Sequence, residues 1–402
     1  MSSILKDKEI VLCVSGGIAA YKSVELLRLL KTAGAAVRVI MTRNAEAFVG
    51  ATTFAVLSGR PVCRSLFDET LGGDASIRHI DWAREADAVV IAPATANIIG
   101  KLAGGIADDA LSTFMMAVTC PVLLCPAMNT HMYENRAVQR NLDVLETDGY
   151  RILEPDAGEL ACGTVGPGRL PPPESILEQM IRLLTPKDLA GQRVLVTAGP
   201  THEPIDPVRY IANPSSGKMG FAIALAAVRR GGEVILVTGP SHQPDPAGAT
   251  VIRVKTAVEM AEAVMGRADD TDIIIKTAAV SDFRPKAPEA HKIKKATAAL
   301  TISLIPNPDI LKNLGERNAG KIRVGFAAET RDLAEYATRK LNEKKLHLIV
   351  GNRVDQAGVG FGGDQNTVSL FYRGGRSEEL PGMEKIDLAD VILDRVVEML
   401  GA

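Results

Sequence analysis

The sequence predicts an α/β protein made of two tandem doubly wound, Rossmann-like units. Three observations carry this expectation. Short apolar runs of strand length alternate with segments of helical periodicity, as in a parallel sheet covered on both faces. The alternation lapses in a Gly/Pro-rich stretch and then restarts. The chain has 402 residues, more than one hydrophobic core usually spans. The boundary is expected between 1–187 and 188–402.

Residues 9–15 (EIVLCVS) are the first strand. Gly16 and Gly17 come next and open a helix over 18–33, with Tyr21, Val24, Leu27 and Leu30 assigned to one face and Lys22, Glu25, Arg28 and Thr32 to another. Gly34 stops it. Strands are expected at 37–42 (VRVIMT), 88–92 and 121–125. Residues 155–173 are rich in Gly and Pro and read as a long loop. A helix over 174–184 closes the first unit, and 185–192 is the linker. The pattern then begins again: a strand at 193–197 (RVLVT), a helix at 218–230 ended by Gly231-Gly232, and a strand at 233–238 (EVILVT). A long insert, 198–217, separates that first strand from its helix. Later strands are expected at 272–276, 323–327 and 347–350, an antiparallel one at 367–372, and a closing helix at 386–400.

Composition excludes several classes. Apolar residues make up 46% and charged residues 23%, so disorder is not the main state. Aromatics are only 4%, with Trp82 the single Trp, which leaves few stacking platforms for single-stranded nucleic acid. A net charge of −2 gives no basic DNA-binding surface. No apolar run reaches membrane-spanning length, and no signal peptide is recognised. The five cysteines form no C-x-x-C pair and read as thiols of a reducing cytoplasm. The six histidines form no zinc-ligand pattern.

Open parallel sheets bind ligands at the C-terminal ends of their strands. There the first unit places Ser15, Gly16, Gly17 and Ile18 at a helix N-terminus, a place that suits either a phosphate or a tight turn. The loop is not G-x-G-x-x-G, so the dinucleotide fingerprint is absent. Thr42, the run Ala94-Thr95-Ala96-Asn97 and Asn129 come after other strands. Taken alone, His79 fits a structural histidine and Cys162 an inert thiol.

The ordered motifs SGGIAAYK, RHIDWA, APATANIIGKLAGGIADDALST, PAMNTHMYENRAVQRNL and ELACGTVGPGR give the first half a resemblance to the phosphopantothenoylcysteine decarboxylases. These are homo-oligomeric flavoproteins, trimer-based. The resemblance implies FMN on Ser15, Gly16, Gly17, Ile18, Thr42, Ala94, Thr95 and Asn97. It implies His79 as catalytic histidine, Asn129 on the substrate carboxylate and Cys162 as proton donor on a flap. The segment GRLPPPE departs from relatives after its GR pair. The chemistry suits these residue types. A flavin can oxidise the cysteine side chain of the substrate to a thioaldehyde, and CO2 loss then gives an enethiol. A flap thiol, with a pKa of roughly 8.5, stays mostly protonated and can return a proton.

The insert, AGPTHEPIDPVRYIANPSSGKMG, is no Walker A loop, because Met219 comes after Gly217-Lys218 and the upstream glycine is missing. Ser215, Ser216 and Gly217 before a helix still have phosphate-loop character. Arg209 and Asn213 are placed to meet an anion. The basic stretch from Lys276 to Lys295 on its own reads as a solvated loop. Together with NPDIL, GFAAET, Lys340 and Lys344, these segments resemble phosphopantothenate–cysteine ligase, a family whose ligase domain is a dimer. The fused order is similar to the bacterial bifunctional enzymes of coenzyme A synthesis. The resemblance implies CTP on Asp282, Lys292, Asn307, Pro308, Asp309, Ile310, Phe326, Lys340 and Lys344. It places Arg209, Asn213 and Lys292 in catalysis. Asp282 is then a nucleotide-sugar or metal contact rather than a general base. The resemblance also implies a divalent ion, Mg2+ or Mn2+, with no ligand residue assigned, and 4′-phosphopantothenate, cysteine and CTP as substrates; TAGPTHE departs from the family text at Pro200 and His202. Rival readings are an FMN protein fused to an NAD(P) dehydrogenase, a nucleotide-binding regulator, and a flavin domain acting on a peptide cysteine.

Overall fold

The computed structural model describes residues 3–66, 78–161, 163–294, 300–317, 320–329, 333–353 and 363–401. The chain divides into two compact units, Ser2–Thr185 and Pro186–Ala402.

The first unit runs β1 (Glu9–Val14), α1 (Ala20–Thr32), β2 (Ala36–Met41), α2 (Ala51–Ser58), α3 (Arg78–Glu85), β3 (Ala88–Ala94), α4 (Ala96–Ala103), α5 (Ala110–Met115), β4 (Val122–Pro126), α6 (Thr130–Tyr133), α7 (Arg136–Thr147), β5 (Arg151–Ile152), β6 (Asp156–Glu159), β7 (Val165–Arg169) and α8 (Pro173–Leu184). The main sheet has order β2-β1-β3-β4-β5, with every pairing parallel. Its strands read as continuous apolar runs because both faces are covered. Ile10, Leu12 and Val14 of β1 pack with Leu27 and Leu30 of α1, Phe54 of α2 and Met180 of α8. Val11 and Cys13 point the other way, into a core with Ile98 of α4, Phe114 of α5 and Leu142 of α7.

Two expectations are corrected. Tyr21 is 60% exposed and is not part of the apolar stripe of α1. A spacing of three drifts around a helix of 3.6 residues per turn, and the buried face is Ala20, Ser23, Leu26, Leu27 and Leu30. The stretch 155–173 is not loop throughout. β6 and β7 form an antiparallel hairpin inside it, with Gly158 and Gly168 at positive φ. Gly/Pro content marked the turn chemistry and concealed the short ladder.

The second unit runs β8 (Arg193–Ala198), β9 (Glu203–Pro204), β10 (Tyr210–Ile211), α9 (Lys218–Arg229), β11 (Glu233–Thr238), β12 (Thr250–Arg253), α10 (Ala257–Met265), β13 (Ile273–Lys276), β14 (Phe283–Pro285), β15 (Leu304–Pro306), α11 (Ile310–Arg317), β16 (Ile322–Glu329), α12 (Leu333–Glu343), β17 (Leu348–Arg353), β18 (Gln365–Asn366), β19 (Val368–Tyr372), β20 (Ser377–Glu379), β21 (Met383–Glu384) and α13 (Lys385–Leu400). The sheet order is β12-β11-β8-β13-β16-β17-β19-β20. β19 is antiparallel to β17, as expected, and β20 to β19. α9 and α13 cover one face through Phe221, Ile223, Leu388 and Ile392. α10, α11 and α12 cover the other through Met260, Leu311, Leu314 and Leu341. The insert carries the small pair β9–β10, and β14 pairs with β15 outside the main sheet.

Arg230, just past α9, ties the linker to α13. It donates to both carboxylate oxygens of Asp188 at 2.8 and 2.6 Å and to Asp394 at 2.7 Å. Asp390 on α13 lies nearby with a buried Oδ2 that has no partner. Burial pushes its carboxyl up to about 6, against the pull of Arg229 and Arg230 and helped by Asp394 and Asp387. The folded state therefore holds this proton more tightly than the unfolded chain, whose Asp titrates near 3.8. Stability falls as pH rises between those two values and is level above them. Asp390→Asn is expected to melt higher than the parent at pH 7.5, with the gain shrinking toward pH 4. Thermal scans across that range check it.

Candidate active sites

In the first unit the strand order reverses between β1 and β3, and a cleft opens at the strand ends there. Its volume is about 1010 Å³. The turn after β1 contributes Ser15, Gly16, Gly17 and Ile18. The end of β2 contributes Thr42 and Asn44, the end of β3 Thr95 and Asn97, and the end of β4 Met128 and Asn129. Ser15 holds two of these loops together: its Oγ donates to the Pro93 carbonyl at 2.7 Å and accepts from the Thr95 amide at 3.0 Å. Gly16 is required by close approach, since a Cβ there would sit 2.4 Å from the Cβ of Asn44. The Thr42 hydroxyl is buried without a partner. A buried hydroxyl left unpaired is costly, so it marks a place for a ligand's polar group.

The β6–β7 hairpin walls the cleft through Glu159, Leu160, Ala161, Gly168 and Arg169. It is docked on the loop after β4. The Met128 amide donates to the Gly168 carbonyl at 3.0 Å, and Asn129 Nδ2 donates to Thr164 Oγ1 at 3.2 Å. Asn129 also caps α6, its Oδ1 accepting from the His131 amide at 2.9 Å. Leu170, within the GRLPPPE segment, is buried, and its carbonyl accepts from Lys22 Nζ at 2.6 Å.

Among the expected residues of this site, Ser15, Gly16, Gly17, Ile18, Thr42, Thr95, Asn97 and Asn129 line one cleft. Ala94 is buried in β3 and stops one residue short of it. His79 stands in the first turn of α3, outside the lining, with a buried and unpartnered Nδ1. Cys162 lies outside the described residues. Lys22 and Lys101 were not expected and also line the cleft. Lys101 is paired to Asp108 at 2.6 Å and to Asp109 at 2.7 Å.

The second unit reverses its strand order between β8 and β13. Two cavities lie at those strand ends. One, of about 380 Å³, is lined by Asn307, Pro308, Asp309, Ile310, Arg339 and Lys344. The other, of about 480 Å³, is lined by Asn213, Ser215, Ser216, Gly217, Phe326 and Asn366. Lys276, Val280, Asp282 and Lys340 line both. The β14–β15 pair brings two distant segments together: Asn307 donates from its amide to the Asp282 carbonyl at 2.8 Å and from Nδ2 to the Ser281 carbonyl at 2.8 Å. Gly217 precedes α9 with φ of 78°, a conformation glycine adopts without strain. Asn213 Nδ2 donates to the Val280 carbonyl at 3.1 Å.

Lys340 Nζ donates to the Phe326 carbonyl at 2.9 Å. Lys344 lies just past α12, its amide still bonded to the Lys340 carbonyl at 3.0 Å, and its ammonium pairs with Asp309. Burial pushes the Asp309 carboxyl up, but Lys344, the Lys312 amide and Lys276 outweigh that and leave it below its ordinary value. The carbonyl oxygens of Asn352 and Asn366, side chains lining the second cavity, are buried without partners.

Two expected residues are not gathered here. Arg209 lies outside both linings; its guanidinium donates to the Ile293 carbonyl at 3.2 Å and lies 3.5 Å from Asp206. Lys292 is exposed and lines neither cavity. Phe326 belongs to the second cavity alone. At the TAGPTHE departure, His202 stacks on Tyr210 with ring centroids 3.8 Å apart and faces neither cavity. Lys276, Asn352 and Asn366 were not singled out from sequence. A Lys ending a run of three Ile was the available signal for the first of them.

Residues 2–185 match the flavoprotein family, and 189–400 match the C-terminal domain of DNA/pantothenate metabolism flavoproteins. The coenzyme A biosynthesis bifunctional protein CoaBC of Bacillus subtilis is 49% identical over 400 residues, covering 98% of each chain. The chain belongs to this bifunctional coenzyme A biosynthesis family. Its counterpart in Escherichia coli K12 is 45% identical over 98% of this chain and 97% of its own. A crystal structure of the C-terminal domain of a CoaBC protein shares 43% identity, covers 54% of this chain and 98% of its own, and superposes with a TM-score of 0.47. Like its relatives, the chain is a bifunctional enzyme of coenzyme A biosynthesis, a flavoprotein decarboxylase joined to a ligase.

The docking of the hairpin is open to test. A Cβ at Gly168 would lie 2.2 Å from the Met128 carbonyl oxygen, and its φ is 140°. Gly168→Ala is expected to undock the hairpin, so that limited proteolysis cuts between 156 and 169 several-fold faster than in the parent.

Proposed function

We propose that residues 1–187 are an FMN-dependent phosphopantothenoylcysteine decarboxylase and 188–402 a CTP-dependent phosphopantothenate–cysteine ligase. The observation that carries this reading is the contrast between the two switch-point sites. The first is one large cleft with an unpaired hydroxyl, Thr42, among glycine and amide groups. The second is a pair of joined cavities with Lys276, Lys340, Lys344 and Arg339 in their walls.

FMN fits the first cleft: Thr42 offers the unpaired hydroxyl and the N-terminus of α1 favours its phosphate. When bound, FMN supplies the oxidation of the substrate's cysteine side chain that makes CO2 loss feasible. The chain positions the substrate. Asn129, beside the N-terminus of α6, holds its carboxylate, and Cys162 donates the late proton. His79 lies outside the lining of its own chain's cleft. It is read as serving the cleft of a neighbouring copy, in keeping with trimer-based flavoprotein units and dimeric ligase units.

In the second unit, CTP takes the cavity of Asp282, Asn307, Pro308, Asp309, Ile310 and Lys344, with Lys340 at its border and Asp282 toward the sugar. The phosphate of 4′-phosphopantothenate takes the cavity at Ser215, Ser216 and the N-terminus of α9, near Asn213. Its carboxylate attacks the α-phosphate, pyrophosphate leaves, and the amine of cysteine displaces CMP from the acyl-cytidylate. Mg2+ or Mn2+ would enter with CTP and, with the lysines, offset the negative charge that builds as pyrophosphate leaves. Buried free thiols at Cys13 and Cys125 suit a cytoplasmic setting.

The purified full chain is expected to carry a flavin absorption band, to release CO2 from supplied phosphopantothenoylcysteine, and to release pyrophosphate from CTP with phosphopantothenate. A chain with neither flavin nor CTP-dependent pyrophosphate release contradicts the reading. Asn129→Asp sets a charge against the substrate carboxylate and is expected to lower CO2 release by about a hundredfold, with pyrophosphate release unchanged. Lys292→Gln separates the two readings of that exposed lysine. If loop closure brings it to the phosphates, kcat for ligation drops by about a hundredfold. If it stays solvated, the change is under about twofold.

A further inference from the structure

The assignment of Lys344 and Lys340 to CTP leaves Lys276, a cation that lines both cavities, without a role. Lys276 ends β13, whose Ile273, Ile274 and Ile275 run buried through the middle of the sheet. Its register neighbours are Thr197 of β8 and Gly325 of β16, neither of them charged. The strand thus delivers an ammonium to the point where the strand order reverses. The side chain lines both cavities, and Nζ donates to the Ala278 carbonyl at 3.3 Å.

The charged groups facing it come from three directions. Lys340 approaches from α12, Asp309 from the loop before α11, and Asp282 from the loop after β13. Farther round the first cavity are Arg339, Glu343 and Lys344, and round the second Lys218 and Lys385. Burial and the charge of Lys340 pull the Lys276 ammonium down to about 8, with Asp309 and Asp282 pulling the other way. Two ammonium groups that share a wall repel each other, and an anion placed between them relieves that repulsion.

We propose that Lys276 is a further catalytic residue of ligation, its ammonium touching the substrate carboxylate in one cavity and the nucleotide's α-phosphate in the other. This deepens the ligase reading above and rests on it. In the step concerned, a carboxylate oxygen bonds to the α-phosphorus. The bond from that phosphorus to the oxygen bridging to the β-phosphate breaks, and pyrophosphate leaves with the electron pair. No proton is transferred. Two anions must meet, and a cation fixed at their junction lowers the repulsion most when the new bond is forming. Lys344, already paired with Asp309, stands on the nucleotide side only.

The test uses the full-length protein with CTP and 4′-phosphopantothenate, cysteine omitted, and follows the single-turnover burst of pyrophosphate by rapid quench. The parent is expected to show the burst. Its absence overturns the ligase reading itself, which separates that failure from a failure of the Lys276 assignment. Lys276→Met is expected to slow the burst by about a hundredfold, with CTP affinity by equilibrium dialysis changed by less than about threefold. At low CTP the parent rate is expected to fall as pH rises through about 8, where the free ammonium deprotonates. Lys276→Arg keeps a charge at all these pH values, so it is expected to retain a burst and lose that alkaline limb. A Lys276→Met burst within about twofold of the parent, or the same alkaline limb in Lys276→Arg, overturns the proposal.

Discussion

Both halves of this chain depend on one topological constraint. A parallel sheet wound first one way and then the other must leave a gap where the winding reverses. Here the reversals fall between β1 and β3 and between β8 and β13. At each gap two strands end side by side while their connecting segments diverge to opposite faces of the sheet. The crossover connections leave a space between them, and the N-terminus of the next helix faces it. Every feature of the two sites depends on which residues stand at those strand ends.

Those residues differ sharply. After β1 comes a two-glycine turn in contact with Asn44, held to the end of β3 by the Ser15 hydroxyl, and a docked hairpin closes the side. The result is a single roomy cleft suited to a planar ring with a phosphate tail. After β8 comes a long excursion, 199–217, before α9 begins. Part of it folds as the β9–β10 pair, and Asn213 is fastened to the loop after β13. The space is divided in two, and lysines from β13 and from the end of α12 border the dividing wall. The first arrangement suits a cofactor held through the reaction, and the second suits two anionic substrates that must be brought together.

The main sheets were legible because burial on both faces forces continuous apolar strands, which short-range pattern reveals. EVILVT matched its strand, β11, at both ends. The hairpin at 156–169 was not legible, since its ladder is made largely of Gly, Pro and charged residues and is held by contacts with the loop after β4. Tyr21 was misplaced because a three-residue spacing imitates a stripe that the helix does not keep. At the sites, motifs adjacent to strand ends line the switch-point cavities: Ser15 to Ile18, singled out by their place after β1, and Asn307 to Ile310, singled out by the family resemblance. Arg209, Lys292 and His79 depend on which way a loop or short helix turns after leaving the sheet, and no local periodicity encodes that. Lys276 escaped notice for another reason: the strand expected at 272–276 did end on it, but it was also counted as the first charge of a basic stretch, and its place at the end of a buried strand was not used.

If the two switch-point sites act in series, one chain carries phosphopantothenate through ligation and then decarboxylation. The most direct measurement supplies 4′-phosphopantothenate, cysteine and CTP together to the full-length protein and tracks pyrophosphate and CO2 in the same quenched samples. Pyrophosphate should appear first, CO2 should appear after a lag, and the two should converge on equal amounts. CO2 released without nucleotide, or pyrophosphate formed with no later CO2, would contradict the account.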